Sequence, residues 1–118
     1  MKRILLGAVV VLGLVLSLTG CDARSTSRDA IRQNFPQSQH EKAYRVAECE
    51  SGMNPRAVSP GGGNWGLFQI NTVHKPMVRS MGYDWDSQIR DPYVNSKVAR
   101  RIWNDAGGSW RPWACRYA

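Results

Sequence analysis

The chain has 118 residues and a net charge of +7, from sixteen Lys or Arg against nine Asp or Glu. That length leaves room for one domain. A basic balance suits nucleic acid, an anionic membrane or another acidic polymer, or serves only to keep a domain soluble. The first twenty residues decide against nucleic acid, because they read as an export signal.

Lys2 and Arg3 give a positive start, and Ile4 to Leu18 is an almost unbroken apolar run ahead of Leu18-Thr19-Gly20-Cys21. A charged start, a short apolar centre and a small-residue cleavage site make a secretory signal. The run is shorter than the roughly 20 apolar residues of a membrane-spanning helix. The four residues ending at Cys21 resemble the lipobox of bacterial lipoproteins. That resemblance implies cleavage of residues 1–20, a lipid on Cys21 and a membrane anchor at the cell envelope. The alternatives are an uncleaved anchor or a plain signal peptide. Residues 21–40 are polar, with Ala30, Ile31 and Phe35 the only packable side chains, and are expected to form a flexible tether. A domain over residues 41–118 follows.

A helix is expected from Glu41 to about Glu50, stopped by Ser51-Gly52. At about 100° per residue, Ala43, Val46 and Ala47 share a face with Glu50, while Glu48 points away beside Arg45 and Glu41. Asn54 to Val58 reads as a turn with Pro55 at its first position, and Ser59 to Asn64 as a glycine-rich loop. Trp65 to Ile70 suits a short strand or tight ribbon. A short helix is expected from Pro76 to Gly82, with Met77, Val78 and Met81 inward. The clearest helix comes last: Asp91 suits the N-cap and Pro92 the first turn, Val94, Val98 and Ile102 form a stripe, and Gly107-Gly108 end it. Trp110 and Trp113 lead to Cys115. With Cys21 committed to lipid, Cys49 and Cys115 are left to pair in an oxidising compartment, or to stay as two free thiols. A bridge of that span is worth about 4 kcal/mol in the chain-entropy model. Mainly helical elements with a small β or irregular piece make the fold class mainly α (α+β).

Glu50 is the candidate for chemistry. Desolvation disfavours a carboxylate on an apolar helix face, and the negative end of the helix dipole disfavours it again. Both favour an acid that keeps its proton, which glycosidic cleavage needs to protonate a leaving oxygen. The same position also fits a structural Glu neutralised by an arginine such as Arg56 or Arg100. Cys49, Cys115, His40 and His74 match no zinc spacing, and neither a metal nor a cofactor is expected.

The run Glu50-Ser51-Gly52-Met53-Asn54-Pro55-Arg56-Ala57-Val58-Ser59-Pro60, followed by Gly66-Leu67-Phe68-Gln69-Ile70, resembles the lytic transglycosylase (SLT) family. Asp91-Pro92-x-x-Asn95 fits that family's next element. The resemblance implies a lysozyme-like fold, shared with goose-type lysozymes, whose short β element lines a glycan cleft. It also implies a monomeric enzyme that cuts peptidoglycan glycan strands between N-acetylmuramic acid and N-acetylglucosamine. In it Glu50 is the catalytic acid/base, and Ser59 and Gln69 line the cleft. Gly66 reads equally as a close approach to sugar and as a tight turn, Trp65 as structural, and His74 as a surface or helix-start residue. A cysteine directly before the catalytic Glu is similar to resuscitation-promoting factors. The chain departs from larger members in lacking an Ala-Tyr-Asn-Ala-Gly-like segment after the last helix. A muramidase-type hydrolase with a second carboxylate among Asp84, Asp86, Asp91 and Asp105 is the alternative chemistry. A catalytically weak peptidoglycan-binding lipoprotein is the alternative from another class.

Overall fold

The computed structural model describes residues 22–118, so the signal segment and Cys21 lie outside the described residues. Residues 22–34 form a helix, α1, which corrects the expected tether. Ser27, Ala30, Ile31 and Phe35 recur at helical spacing, and all four are buried. A polar composition had masked this pattern, because small and hydroxyl residues serve as well as large ones where a helix packs closely. The Tyr93 hydroxyl donates to Asp29 at 2.7 Å and Arg100 donates to the Asn34 carbonyl at 2.8 Å, fastening α1 to the last helix.

A single helical turn over Gln37–Gln39 leads into α2, His40–Ser51. Ala43, Val46 and Ala47 are its buried stripe, as the wheel requires. It stops at Gly52, whose φ of 65° is the left-handed cap that glycine supplies without a Cβ penalty. The β element is small. Strands β1, Asn64–Trp65, and β2, Ile70–Asn71, pair antiparallel with Asn64 opposite Asn71, and Val58 adds one bridge to Trp65. Between the strands, residues 66–69 turn and bury Leu67 and Phe68 completely. The ribbon expected from Trp65 to Ile70 is therefore a tight hairpin.

Past Asn71 a single turn, Thr72–His74, runs into α3, Lys75–Ser80. Helix α4, Trp85–Gln88, was not expected from the sequence, although Asp84 caps it by accepting from the Ser87 N–H. In α5, Pro92–Asp105, Asp91 accepts from the Tyr93 and Val94 N–H groups, a cap worth about 1 kcal/mol. The stripe of Val94, Val98 and Ile102 is buried. The end of the chain has no regular element beyond α5. It is held by Trp110, which stacks on Phe35 at 5.1 Å, and by Trp113, which meets Trp110 at 5.0 Å and Phe68 at 6.4 Å. The described residues make a mainly helical small domain with one two-stranded sheet. No helix among the described residues is long and apolar enough to cross a membrane.

Candidate active site

Glu50 and Glu48 part company as the helical wheel requires. Glu48 turns to α1, where Arg24 pairs with it at 3.0 Å. Glu50 is half-buried and lines a cleft of about 250 Å³. Among the described residues the ion pairs are Arg24–Glu48 and Arg101–Asp105, so no cation locks Glu50. Arg100, one of the arginines considered as its partner, is spent on Asn104 and the Asn34 carbonyl. One Glu50 oxygen, Oε2, accepts the Cys115 N–H at 3.2 Å. Among the described residues Oε1 has no protein partner, which leaves it for a ligand.

The hairpin makes one wall. Asn64, Gln69, Ile70 and Asn71 face the cleft, with His74 at its end. Gln69 has φ 50°, a left-handed conformation costing a non-glycine residue about 1–2 kcal/mol. Its Nε2 donates to the Ala57 and Gly66 carbonyls, at 3.2 and 3.0 Å. With both donors used, the amide oxygen is the group Gln69 can offer a sugar N–H or hydroxyl. Ser59 is not among the cleft-lining residues. Its Oγ instead accepts the Asn64 N–H at 3.0 Å, so it braces a wall residue.

Gly66 is explained by packing rather than by sugar. Its φ is 82°, and a Cβ built there would run into the Asn95 side chain and stand 3.0 Å from the Ile89 carbonyl. Asn95 is wholly buried. It accepts from the Phe68 N–H at 2.8 Å and donates to the Trp65 and Ile89 carbonyls, at 3.0 and 2.9 Å. Ser51 completes the frame, with its Oγ 2.7 Å from the Leu67 carbonyl. The Glu-Ser, Gly-Leu-Phe-Gln and Asp-Pro-x-x-Asn elements therefore fix one hairpin against two helices. Trp65 is structural here, donating to the Gly62 carbonyl at 2.8 Å.

The opposite wall comes from Ile102 and from Pro112, Trp113 and Ala114. Trp113 donates to the Phe68 carbonyl at 3.0 Å. Cys49 and Cys115 form a disulfide with Cα atoms 6.0 Å apart, which fastens this segment to the residue before Glu50. His74, expected as a surface or helix-start residue, is the N-cap of α3 and also lines the cleft, and burial holds its imidazole below the usual histidine range. Asn64, Asn71, His74 and the Pro112–Ala114 wall were missed as cleft residues. The one sequence signal for the last was the Trp-rich run leading to Cys115. Asp84, Asp86, Asp91 and Asp105 do not line the cleft.

A lysozyme-like frame around a single carboxylate defines the class. The family model described as Transglycosylase SLT domain matches residues 30–117, and the chain belongs to that family. Protein IpgF of Shigella flexneri is 34% identical over 77 residues, covering 63% of this chain and 49% of its own length. Invasion protein IagB of Salmonella typhimurium (strain LT2) is 32% identical over 77 residues, covering 59% and 48%. The chain thus spans about half the length of these curated relatives. No solved structure gives a significant match.

Proposed function

We propose that this protein cuts peptidoglycan glycan strands between N-acetylmuramic acid and N-acetylglucosamine without water, with Glu50 as both acid and base. The observation that carries the reading is that Glu50 is the sole carboxylate lining the cleft among the described residues. Glu50 gives its proton to the bridging oxygen, which departs as the 4-hydroxyl of N-acetylglucosamine while positive charge develops at the muramyl anomeric carbon. The Glu50 carboxylate then takes the proton of that sugar's 6-hydroxyl, whose oxygen closes a 1,6-anhydro ring. One carboxylate suffices because the nucleophile is already tethered to the reacting carbon. Hydrolysis would usually need a second carboxylate at about 5–5.5 Å or 6.5–9.5 Å, and no aspartate lines the cleft. Gln69 is the proposed contact to sugar, and Asn64, held by Ser59, stands beside it.

Export and lipidation at Cys21 belong to the same proposal and rest on the sequence of the first 21 residues. Because residues 22–34 are helix, an anchored domain would stand at the bilayer surface rather than out on a tether.

The test is mass spectrometry of peptidoglycan digested by the wild-type protein and by Glu50→Gln. The expected result is 1,6-anhydro ends, absent with the variant. Reducing ends would make the protein a hydrolase. No products, together with retained glycan binding, would make it a wall-binding module.

A further inference from the structure

A second hollow, of about 340 Å³, adjoins the Glu50 cleft; it shares His74, Ile102 and Pro112 with it and is lined besides by Met77, Asp105 and Arg111. The two hollows meet across the three shared side chains. A polymer lying over Glu50 can therefore extend into the hollow that Arg111 lines.

Arg111 differs from the other cations of the C-terminal segment and its surroundings. Lys42 donates to the Arg116 and Ala118 carbonyls, at 2.6 and 2.8 Å. Arg116 donates to the Trp113 carbonyl at 3.2 Å. Asp105, the carboxylate in the same hollow, is taken by Arg101 through contacts of 3.2 and 3.0 Å. Arg111 is exposed, and its backbone N–H donates to the Ser109 hydroxyl at 3.1 Å. Among the described residues nothing engages its guanidinium. An exposed guanidinium without a protein anion is a fork suited to a carboxylate.

The substrate proposed above has anions in one place. Its N-acetyl sugars are neutral, and its carboxylates are carried on the peptide stem attached to the muramyl lactyl group. We propose that Arg111 receives a peptide-stem carboxylate next to the Glu50 cleft and makes the protein prefer stem-bearing strands. This rests on the peptidoglycan reading and adds to it which part of the polymer is recognised beyond the sugars.

The experiment compares cleavage of glycan strands whose stems carry free carboxylates with cleavage of the same strands after those carboxylates are converted to neutral amides, for wild type, Arg111→Gln and Arg111→Lys. The wild type should favour the strands with charged stems. In Arg111→Gln the ratio of kcat/KM values should fall roughly threefold to fivefold, the scale of one exposed charge pair. Arg111→Lys should recover much of it, and the wild-type preference should shrink as salt rises. An unchanged ratio overturns the proposal, as does an equal loss on both substrates, which would mean damage to the fold. Binding of a stem-bearing fragment is measured in parallel on Glu50→Gln and on Glu50→Gln with Arg111→Gln. If the wild type cleaves neither strand, the transglycosylase reading fails, and this binding pair still decides on Arg111.

Discussion

The two walls of the cleft are built by different means. The hairpin wall is polar and local. Ser59 holds Asn64 from five residues away, Asn64 holds Asn71 from seven, and Gln69 reaches Ala57 from twelve. The C-terminal wall is apolar and distant. Trp113 reaches Phe68 across 45 residues, Trp110 reaches Gln39 across 71, and the disulfide closes a span of 66. Glu50 stands between, carried by α2 and hydrogen-bonded from the C-terminal side. One wall is specified by short-range hydrogen bonding. The other depends on the whole core being formed before it can dock.

The largest effect expected is on the residue both walls serve. Glu50→Gln keeps shape and removes the transferable proton, so cleavage should fall by about 10²- to 10⁴-fold while glycan binding persists. Residual cleavage near wild type would move the chemistry elsewhere.

Breaking the distant wall comes next. The double change Cys49→Ser with Cys115→Ser removes the tie beside Glu50 and should cost about 2–5 kcal/mol. For a domain of this size each kcal/mol lowers Tm by roughly 4–8 °C. Calorimetry measures that loss. Cleavage assayed well below the new Tm should still be reduced, because the Cys115 N–H and the Pro112–Ala114 wall would no longer be held in place. Full activity in the folded double variant would show that the aromatic packing of Trp110 and Trp113 suffices.

Breaking the local wall should cost less. At Gly66 an alanine meets both the positive φ and the Asn95 side chain, for an expected loss of about 2–3 kcal/mol. Because the hairpin carries Gln69, the loss should appear in KM as well as in Tm. A neutral Gly66→Ala would mean that Asn95 yields, against its three hydrogen bonds.

The same contrast explains what was legible in the sequence. The helices His40–Ser51 and Pro92–Asp105 and the Glu50 and Glu48 split follow from periodicity and caps, which are local, and the Gln69 placement from the family resemblance of a contiguous motif. Ser59 and Gly66 carry motif positions, but the sequence could not say whether they touch ligand or brace what does. The helix over residues 22–34 was hidden because its inward face includes Ser27 and Ala30, which composition reads as linker. The Pro112–Ala114 wall was illegible apart from Cys115, because its place depends on Phe35 and Phe68, far away in the chain. His74 was missed for a third reason. It lies just past the hairpin, and only the hairpin's turn brings it to the cleft.

The smallest effect expected concerns that histidine and sharpens the contrast at the cleft's end, where the hairpin wall gives way to Pro112. Burial lowers the His74 pKa below 6.5 in the folded protein, so folding favours the neutral ring. The associated stability is fully present above 6.5 and is lost as pH falls through the lowered folded value. His74→Asn removes that dependence. The wild-type Tm should therefore fall more steeply than that of His74→Asn between pH 7 and pH 5, by on the order of a degree, since the ring is only half-buried. Parallel Tm profiles for the two proteins would mean that the His74 ring faces solvent at the cleft mouth rather than being held neutral by burial.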